Sequence, residues 1–225
     1  MLFNSFDFAV FLPLVYLLYW FLFQKHLKLR NFFLLTASYV FYGFWDWRFL
    51  SLILISSLMD YILAMQIHAT QPEQKNKRKV LLVLSLVLNL GFLGFFKYYN
   101  FFVESFIATF TLFGKEFSYS PMHIILPVGI SFYTFQSLSY TLDVYFKKME
   151  PTRNLINFLA FVSFFPQLVA GPIERAKNLL PQFDEVKHFD YQAARSGLLF
   201  ILFGLFKKIM IADRLAVFIN QTYGN

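Results

Sequence analysis

Apolar runs of near 20 residues recur along the chain, and they constrain its fold more than any other feature. A helix of about 20 apolar residues crosses the ~30 Å hydrocarbon core of a bilayer. Hydrophobic residues make up 58% of the 225 positions, and 33 of them are Phe, which exceeds what a soluble domain uses. Because backbone polar groups must be satisfied internally in lipid, these runs predict an all-α, polytopic transmembrane helical protein.

The runs predict six spans within a single membrane domain that covers residues 1–225. These spans are about 6–23, 31–44, 49–67, 80–96, 122–146 and 193–219. A further apolar stretch, 155–165, has only eleven residues, is followed by Pro166, and reaches a Gly171-Pro172 turn. That stretch is too short to cross the bilayer, so 155–172 is predicted to be a short re-entrant or buried helical segment within protein.

Basic residues are distributed unevenly between the loops. Loops 24–30, 68–79 and 147–153 hold three, four and three Lys or Arg residues, and the opposite side holds Arg48, Lys97 and Lys115. Since basic loops stay in the cytoplasm, the N-terminus is predicted to lie outside. The net charge of +7 is therefore explained by the orientation of the helices in the membrane, and no nucleic-acid partner is predicted from it. The first run lacks the basic start and cleavage site of a signal peptide, so it is predicted to remain a helix.

The stretch 126–145, LPVGISFYTFQSLSYTLDVY, begins with Pro127 and Gly129 and then turns helical. A helix turns by about 100° per residue, so the polar residues of this stretch and Gly129 all lie on one face, within an arc of roughly 80°. These residues are Tyr133, Gln136, Tyr140 and Asp143, and the opposite face carries Phe135, Leu138, Leu142 and Phe146. The pattern predicts a helix that lines a polar path, with an apolar outside. The alternative is a polar face that only hydrogen-bonds to neighbouring helices.

Asp60 lies inside the third predicted span and is a possible intramembrane functional carboxylate, because exposing it to lipid costs on the order of 3 kcal/mol. The alternative is a structural pairing with a buried Lys or hydroxyl. The four His residues are better explained as solvated side chains, and His123, which opens the central stretch, lacks a carboxylate to orient it. The sequence contains no Cys, no phosphate loop and no metal-ligand cluster. It thus predicts no metal, no bound cofactor and no catalytic centre.

Five ordered pieces of the chain resemble the membrane-bound O-acyltransferase family, specifically its AlgI-like branch of bacterial alginate O-acetylation proteins. They are FYGFWDWR at 41–48, FKYYN at 96–100, the central stretch, FPQLVAGPI at 165–173, and GLFKK at 204–208 with ADRL at 212–215. Phe146 departs from the pattern, because relatives are expected to carry a basic residue there.

The resemblance implies an acyltransferase of the bacterial cytoplasmic (inner) membrane. Its acyl group, expected to be acetyl, moves from a cytoplasmic thioester donor, acyl-CoA or acyl carrier protein, to a hydroxyl of a cell-surface polysaccharide or of an outer acyl-relay protein. The substrate path would be lined by Tyr133, Gln136, Tyr140, Asp143, Gln167, Gly171 and Pro172. Tyr133, Gln136 and Tyr140 would supply hydrogen bonds, and Gly171 would allow close backbone approach.

The essential His of this family lies in the second half of its fold, and no His here stands in a matching motif. The resemblance therefore implies an N-terminal half, with the catalytic His expected beyond Asn225 and no transfer by this fragment alone. Two other classes stay open. A transporter or flippase would show an internal repeat, which is not visible here. A non-catalytic membrane scaffold would need no downstream His.

Overall fold

The structure, a computed structural model, describes residues 3–71, 73–112, 124–169 and 171–223. The chain divides into two compact units, Met1–Arg30 with Val186–Asn225, and Asn31–Glu185. The predicted outer loop at 114–121 and His123 lie outside the described residues. Every regular element in the described ranges is helical.

The first unit contains both ends of the chain. Helix α1 (Phe6–Leu17) is capped by Ser5, whose hydroxyl accepts a hydrogen bond from the Phe8 amide, and it continues as a π-helical turn over Leu18–Leu22. Helix α9 (Tyr191–Phe206) is capped by the Asp190 carboxylate and continues through a π-helical segment, Lys207–Ala212, into α10 (Asp213–Tyr223). These helices occupy the regions of the first and last predicted spans.

Two helices of matched length open the second unit. They are α2 (Leu27–Asp46), most of which belongs to this unit, and α3 (Leu50–Ala69). Each helix has 20 residues and is therefore about 30 Å long. A 3₁₀ turn, Trp47–Phe49, joins them. Asp46 accepts a hydrogen bond from the Arg48 amide and pairs with its guanidinium at 2.6 Å. This local pair caps the 3₁₀ turn between the two helices.

Helix α4 (Lys75–Leu112) has 38 residues, so it is longer than the predicted span at 80–96. The polar stretch Lys97 to Asn100 does not end it, because no Pro interrupts the helix and these residues tolerate helical dihedrals. The stretches Leu27–Ala69 and Lys75–Thr111 are both long and apolar enough to cross a membrane.

Short helices follow the central one. Helix α5 (Ile130–Tyr145) begins eight residues later than the span predicted at 122–146. Helix α6 (Leu155–Val162) is capped by Asn154, and one further turn, α7 (Phe165–Leu168), precedes α8 (Ala176–Asp184). The helical part of the predicted segment 155–172 therefore ends at Leu168. Six of the eight residues of α6 are buried, as are Phe165 and Leu168, which agrees with the prediction of a short helical segment buried in protein.

Helix α5 lies at the centre of the second unit, in contact with α3, α4, α6 and α8. Polar side chains such as Asp60, Ser85 and Gln136 are buried, whereas large apolar ones such as Val87 and Phe95 are exposed. Such a distribution is typical of helices surrounded by lipid, whose polar groups face the interior of the bundle. The fold is that of an all-α membrane protein, as the sequence predicts.

Candidate functional site: the polar face of α5

The start of α5 is fixed by a close backbone approach. Gly129 has a φ of +76°, in the left-handed region that favours glycine. A Cβ atom at this position would lie 2.6 Å from the Leu168 carbonyl oxygen at the end of α7. The Tyr42 hydroxyl of α2 donates to the neighbouring Val128 carbonyl at 3.0 Å. Together these contacts set where the polar face of α5 begins.

The four residues predicted to share this face, Tyr133, Gln136, Tyr140 and Asp143, are all buried, with exposed fractions between 0% and 7%. On the opposite face, Phe135 and Phe146 are exposed, as predicted. Leu138 is only 5% exposed, however, so its predicted place on the apolar outside is wrong. The reason is that four helices surround α5 and cover more than its polar arc.

Gln136 joins α5 to the short helix α6. Its side-chain amide donates a hydrogen bond of 2.7 Å to the Phe161 carbonyl oxygen. Gln167, also predicted for the substrate path, reaches the same carbonyl at 3.5 Å. This carbonyl lies near the end of α6, where the last carbonyls of a helix lack an intrahelical donor. Both glutamines thus meet at one backbone acceptor.

Tyr140 and Asp143 lie toward the end of α5. The Tyr140 hydroxyl accepts a hydrogen bond from the Thr152 amide at 3.2 Å, and its ring packs 4.7 Å from that of Phe158. The Asp143 carbonyl accepts from the Lys148 amide at 2.8 Å. Tyr140 therefore holds the loop that precedes α6, which is a structural contact.

Tyr133 differs from its neighbours on the face. It is 1% exposed, and its hydroxyl finds no hydrogen-bond partner in the part of the chain that the structure describes. A buried hydroxyl without a partner loses hydration and gains nothing in return, so such groups are uncommon. Of the hydroxyl and amide side chains on this face, Tyr133 is the one without a hydrogen-bond partner among the described residues.

Gly171 and Pro172 follow α7. The Gly171 amide donates to the Gln167 carbonyl at 3.0 Å, and an added Cβ would lie 2.5 Å from the Gln167 Cα. The chain thus turns too tightly here for any side chain. Pro172 is exposed. The structure brings Gln167 and Gln136 together at the Phe161 carbonyl, and the turn keeps Gly171 next to Gln167. Their place on a substrate path stays a prediction.

Asp60 is fully buried in a polar cluster that connects three helices. Its carboxylate accepts hydrogen bonds from Ser85 at 2.7 Å and from Asn89 at 2.8 and 2.9 Å, both on α4. Ser137 of α5 lies against the same carboxylate. The sequence left open a pairing of Asp60 with a buried hydroxyl, as Ser85 provides, but it named neither Ser85 nor Asn89, although polar residues four apart in the apolar run of α4 were a signal for them. A functional role for this carboxylate stays a prediction.

A second buried network was also missed. The Asn31 amide of α2 donates to Asn157 at 2.9 Å and to the Phe183 carbonyl at 2.7 Å. Asn157 in turn donates to Asp184 at 2.7 Å. These bonds tie α2, α6 and α8 together. Among the described residues, no group of three or more His, Asp or Glu side chains could hold a metal ion.

A helical unit with a polar interior and an apolar exterior, centred on α5, defines a polytopic membrane protein. Over 95% of its length the chain is 41% identical to the probable alginate O-acetylase AlgI of Pseudomonas putida. It is 42% identical over 92% to the protein of that name from Azotobacter vinelandii, and 35% identical over 97% to the peptidoglycan O-acetyltransferase of Helicobacter pylori.

These similarities agree with the resemblance of its motifs to the membrane-bound O-acyltransferase family, in its alginate O-acetylase-like branch. The chain spans 43%, 40% and 46% of the length of these three relatives, which is less than half of each. No family model matches the chain. No solved structure matches it either.

Proposed function

We propose that this chain is part of a membrane-bound O-acetyltransferase that transfers an acetyl group to a sugar hydroxyl outside the cell, directly or through a relay protein. The observation that supports this most is the 35–42% identity to alginate and peptidoglycan O-acetyltransferases over more than nine-tenths of the chain. Both kinds of relative are named for acetylating a glycan, so the acceptor class proposed is a bacterial glycan.

In the proposed reaction the acceptor oxygen attacks the carbonyl carbon of a cytoplasmic thioester. The C–O bond forms, the C–S bond breaks, and the hydroxyl proton passes by way of a general base to the leaving thiolate. The base is proposed to be a His outside these 225 residues. The contribution proposed for this chain is the polar face of α5, where the free hydroxyl of Tyr133 would donate to substrate or to the developing oxyanion.

The proposed orientation places the N-terminus outside and the basic loops in the cytoplasm of the inner membrane. The thioester donor would approach from the side of these loops, and the glycan or relay protein from the other. The ten basic residues in the loops against three on the opposite side support this orientation.

Complementation tests the proposal. The full-length gene is expressed in a bacterium whose own glycan O-acetylase gene has been deleted, and base-labile acetate is measured in separate exopolysaccharide and peptidoglycan fractions. We expect acetate to return to one fraction, which identifies the acceptor. A well-expressed protein that restores acetate to neither fraction would contradict the proposal. Expression of residues 1–225 alone is the matched control and is expected to restore none.

A further inference from the structure

A cleft of about 400 Å³ lies where the end of α3, the start of α4 and the end of α5 meet. Four of its lining residues are basic or can be protonated, namely His68, Arg78, Lys147 and Lys148, and one, Glu150, is acidic. None of the four forms an ion pair within the described part of the chain. The lining thus carries an excess of positive charge that no ion pair among the described residues neutralises.

Lys147 adopts a backbone conformation that is unusual for its residue type. Its φ is +57°, and it is the one residue other than glycine with a positive φ in the described ranges. The Lys147 amide donates to Val144, and the Lys148 amide to Asp143, which closes α5 with the hydrogen bonds of a glycine-type C-cap. A lysine there is strained where a glycine would not be. Strain at such a position is a reason to look for a role of the side chain.

Arg78 lines the cleft and has a buried donor without a hydrogen-bond partner among the described residues. Its Nη2 atom donates to the Tyr145 carbonyl at 2.7 Å, and its guanidinium lies over the Tyr145 ring, 5.2 Å from the centroid. Its Nε atom is buried and has no hydrogen-bond acceptor among the residues that the structure describes. A buried guanidinium N–H normally has an acceptor, so the unpaired Nε atom makes the Arg78 side chain an unusual feature of this cleft.

We propose that this cleft binds the phosphate group of a phosphate ester. A guanidinium fixed beside two ammonium groups matches the charge and hydrogen-bonding geometry of phosphate. The orientation of membrane helices accounts for basic loops in general, but it accounts neither for the strained Lys147 nor for the free Nε of Arg78. The phosphate could belong to a soluble thioester donor or to an anionic lipid. Only the identification with a donor rests on the proposed function.

The test uses full-length protein in phosphatidylcholine nanodiscs, with coenzyme A as the soluble probe and calorimetric titration as the readout. A second arm measures the phosphatidylglycerol retained by protein purified from mixed-lipid nanodiscs. The variants are Arg78→Gln and Lys147→Gly. The matched control is Lys79→Gln, which makes the same change in charge at an exposed neighbour that does not line the cleft.

We expect each cleft variant to weaken binding of one probe about tenfold, and the control to change it less than twofold. Loss for coenzyme A identifies a soluble phosphate ester, and loss for phosphatidylglycerol identifies a lipid headgroup. Because Lys147→Gly relieves backbone strain, the thermal midpoint of this variant should not fall. A loss of binding in this variant can therefore be told apart from unfolding. Binding that all three variants weaken equally, or that none weakens, would overturn the proposal. The glycan acetylation assay is scored separately. A protein whose cleft binds phosphate but which transfers no acetyl group would contradict the proposed function and leave the cleft proposal intact.

Discussion

Buried polar atoms on α5 and its neighbours differ in whether the protein itself satisfies them. The Gln136 amide and the Tyr140 hydroxyl have backbone partners, whereas the Tyr133 hydroxyl has none in the described part of the chain. The first two are therefore expected to matter for stability, and the third for a bound molecule. This distinction can be tested because removing a satisfied group and removing an unsatisfied group have opposite effects on stability.

Tyr133→Phe removes a hydroxyl without a described partner and leaves the ring in place. We expect the thermal midpoint of the full-length protein to stay the same or to rise, since no hydrogen bond is lost. Acetyl transfer per molecule should fall about tenfold if that hydroxyl donates to substrate. The measurement is glycan acetate normalised to membrane-extracted protein. Tyr98→Phe, at an exposed position, is the control, and equal turnover in both variants would remove Tyr133 from the site.

The Asp60 carboxylate accepts hydrogen bonds from Ser85 and Asn89, and we therefore expect its role to be structural. We expect Asp60→Asn to keep yield and normalised turnover within about twofold. Rotation of the Asn89 amide would let its Oδ1 atom, which now lacks a partner, accept from the new amide. Asp60→Leu should lower stability by about 1–3 kcal/mol for each polar group left unpaired. A well-folded but inactive Asp60→Asn protein would instead show that the negative charge is functional.

The helices depend on a few close contacts between elements. Gly129→Ala should destabilise the protein by at least about 1–3 kcal/mol, because it combines a positive φ with a Cβ that would lie 2.6 Å from the Leu168 carbonyl. Thermal unfolding in detergent measures this. Gly91→Ala is the matched control, since nothing lies within 4 Å of a Cβ there. Similar midpoints for the two variants would show that α7 does not pack against the start of α5.

Gln136 connects α5 to α6 through the Phe161 carbonyl, and Gln136→Leu tests that connection. We expect a loss of about 1–3 kcal/mol in stability, because a buried carbonyl is left with only the long contact to Gln167. Ser139→Ala, which removes a hydrogen bond inside α5, should cost less. Activity is normalised to extracted protein. A loss of turnover without a loss of stability would place Gln136 on the substrate path, as its position on the polar face predicts.

For the whole molecule, the distribution of basic residues predicts which loops face the cytoplasm. Reporter fusions at Gln74 and Thr152 should report the cytoplasm, because both positions lie in basic loops. A fusion at Glu116, which lies outside the described residues, should report the outer side. A cytoplasmic signal at Glu116 would mean that the predicted number of spans before it is wrong by one.

The sequence predicted the fold class and the buried face of α5, since both follow from local periodicity. The predicted membrane span 80–96 does not give the bounds of helix α4, which continues past Lys97, because helix ends depend on caps and breakers more than on polarity. The sequence also placed Leu138 outside, since periodicity does not show how many neighbours surround a helix.

The sequence by itself determined that this is an all-α membrane protein with a polar central helix and a short buried segment, and its ordered motifs indicated the family. Only the tertiary structure decided which polar groups meet: Ser85 and Asn89 with Asp60, Gln136 with Phe161, and Asn31 with Asn157. The physical reason is that amphipathic patterns repeat within one helix, whereas these partners lie 25 to 126 residues apart and meet only when the helices pack.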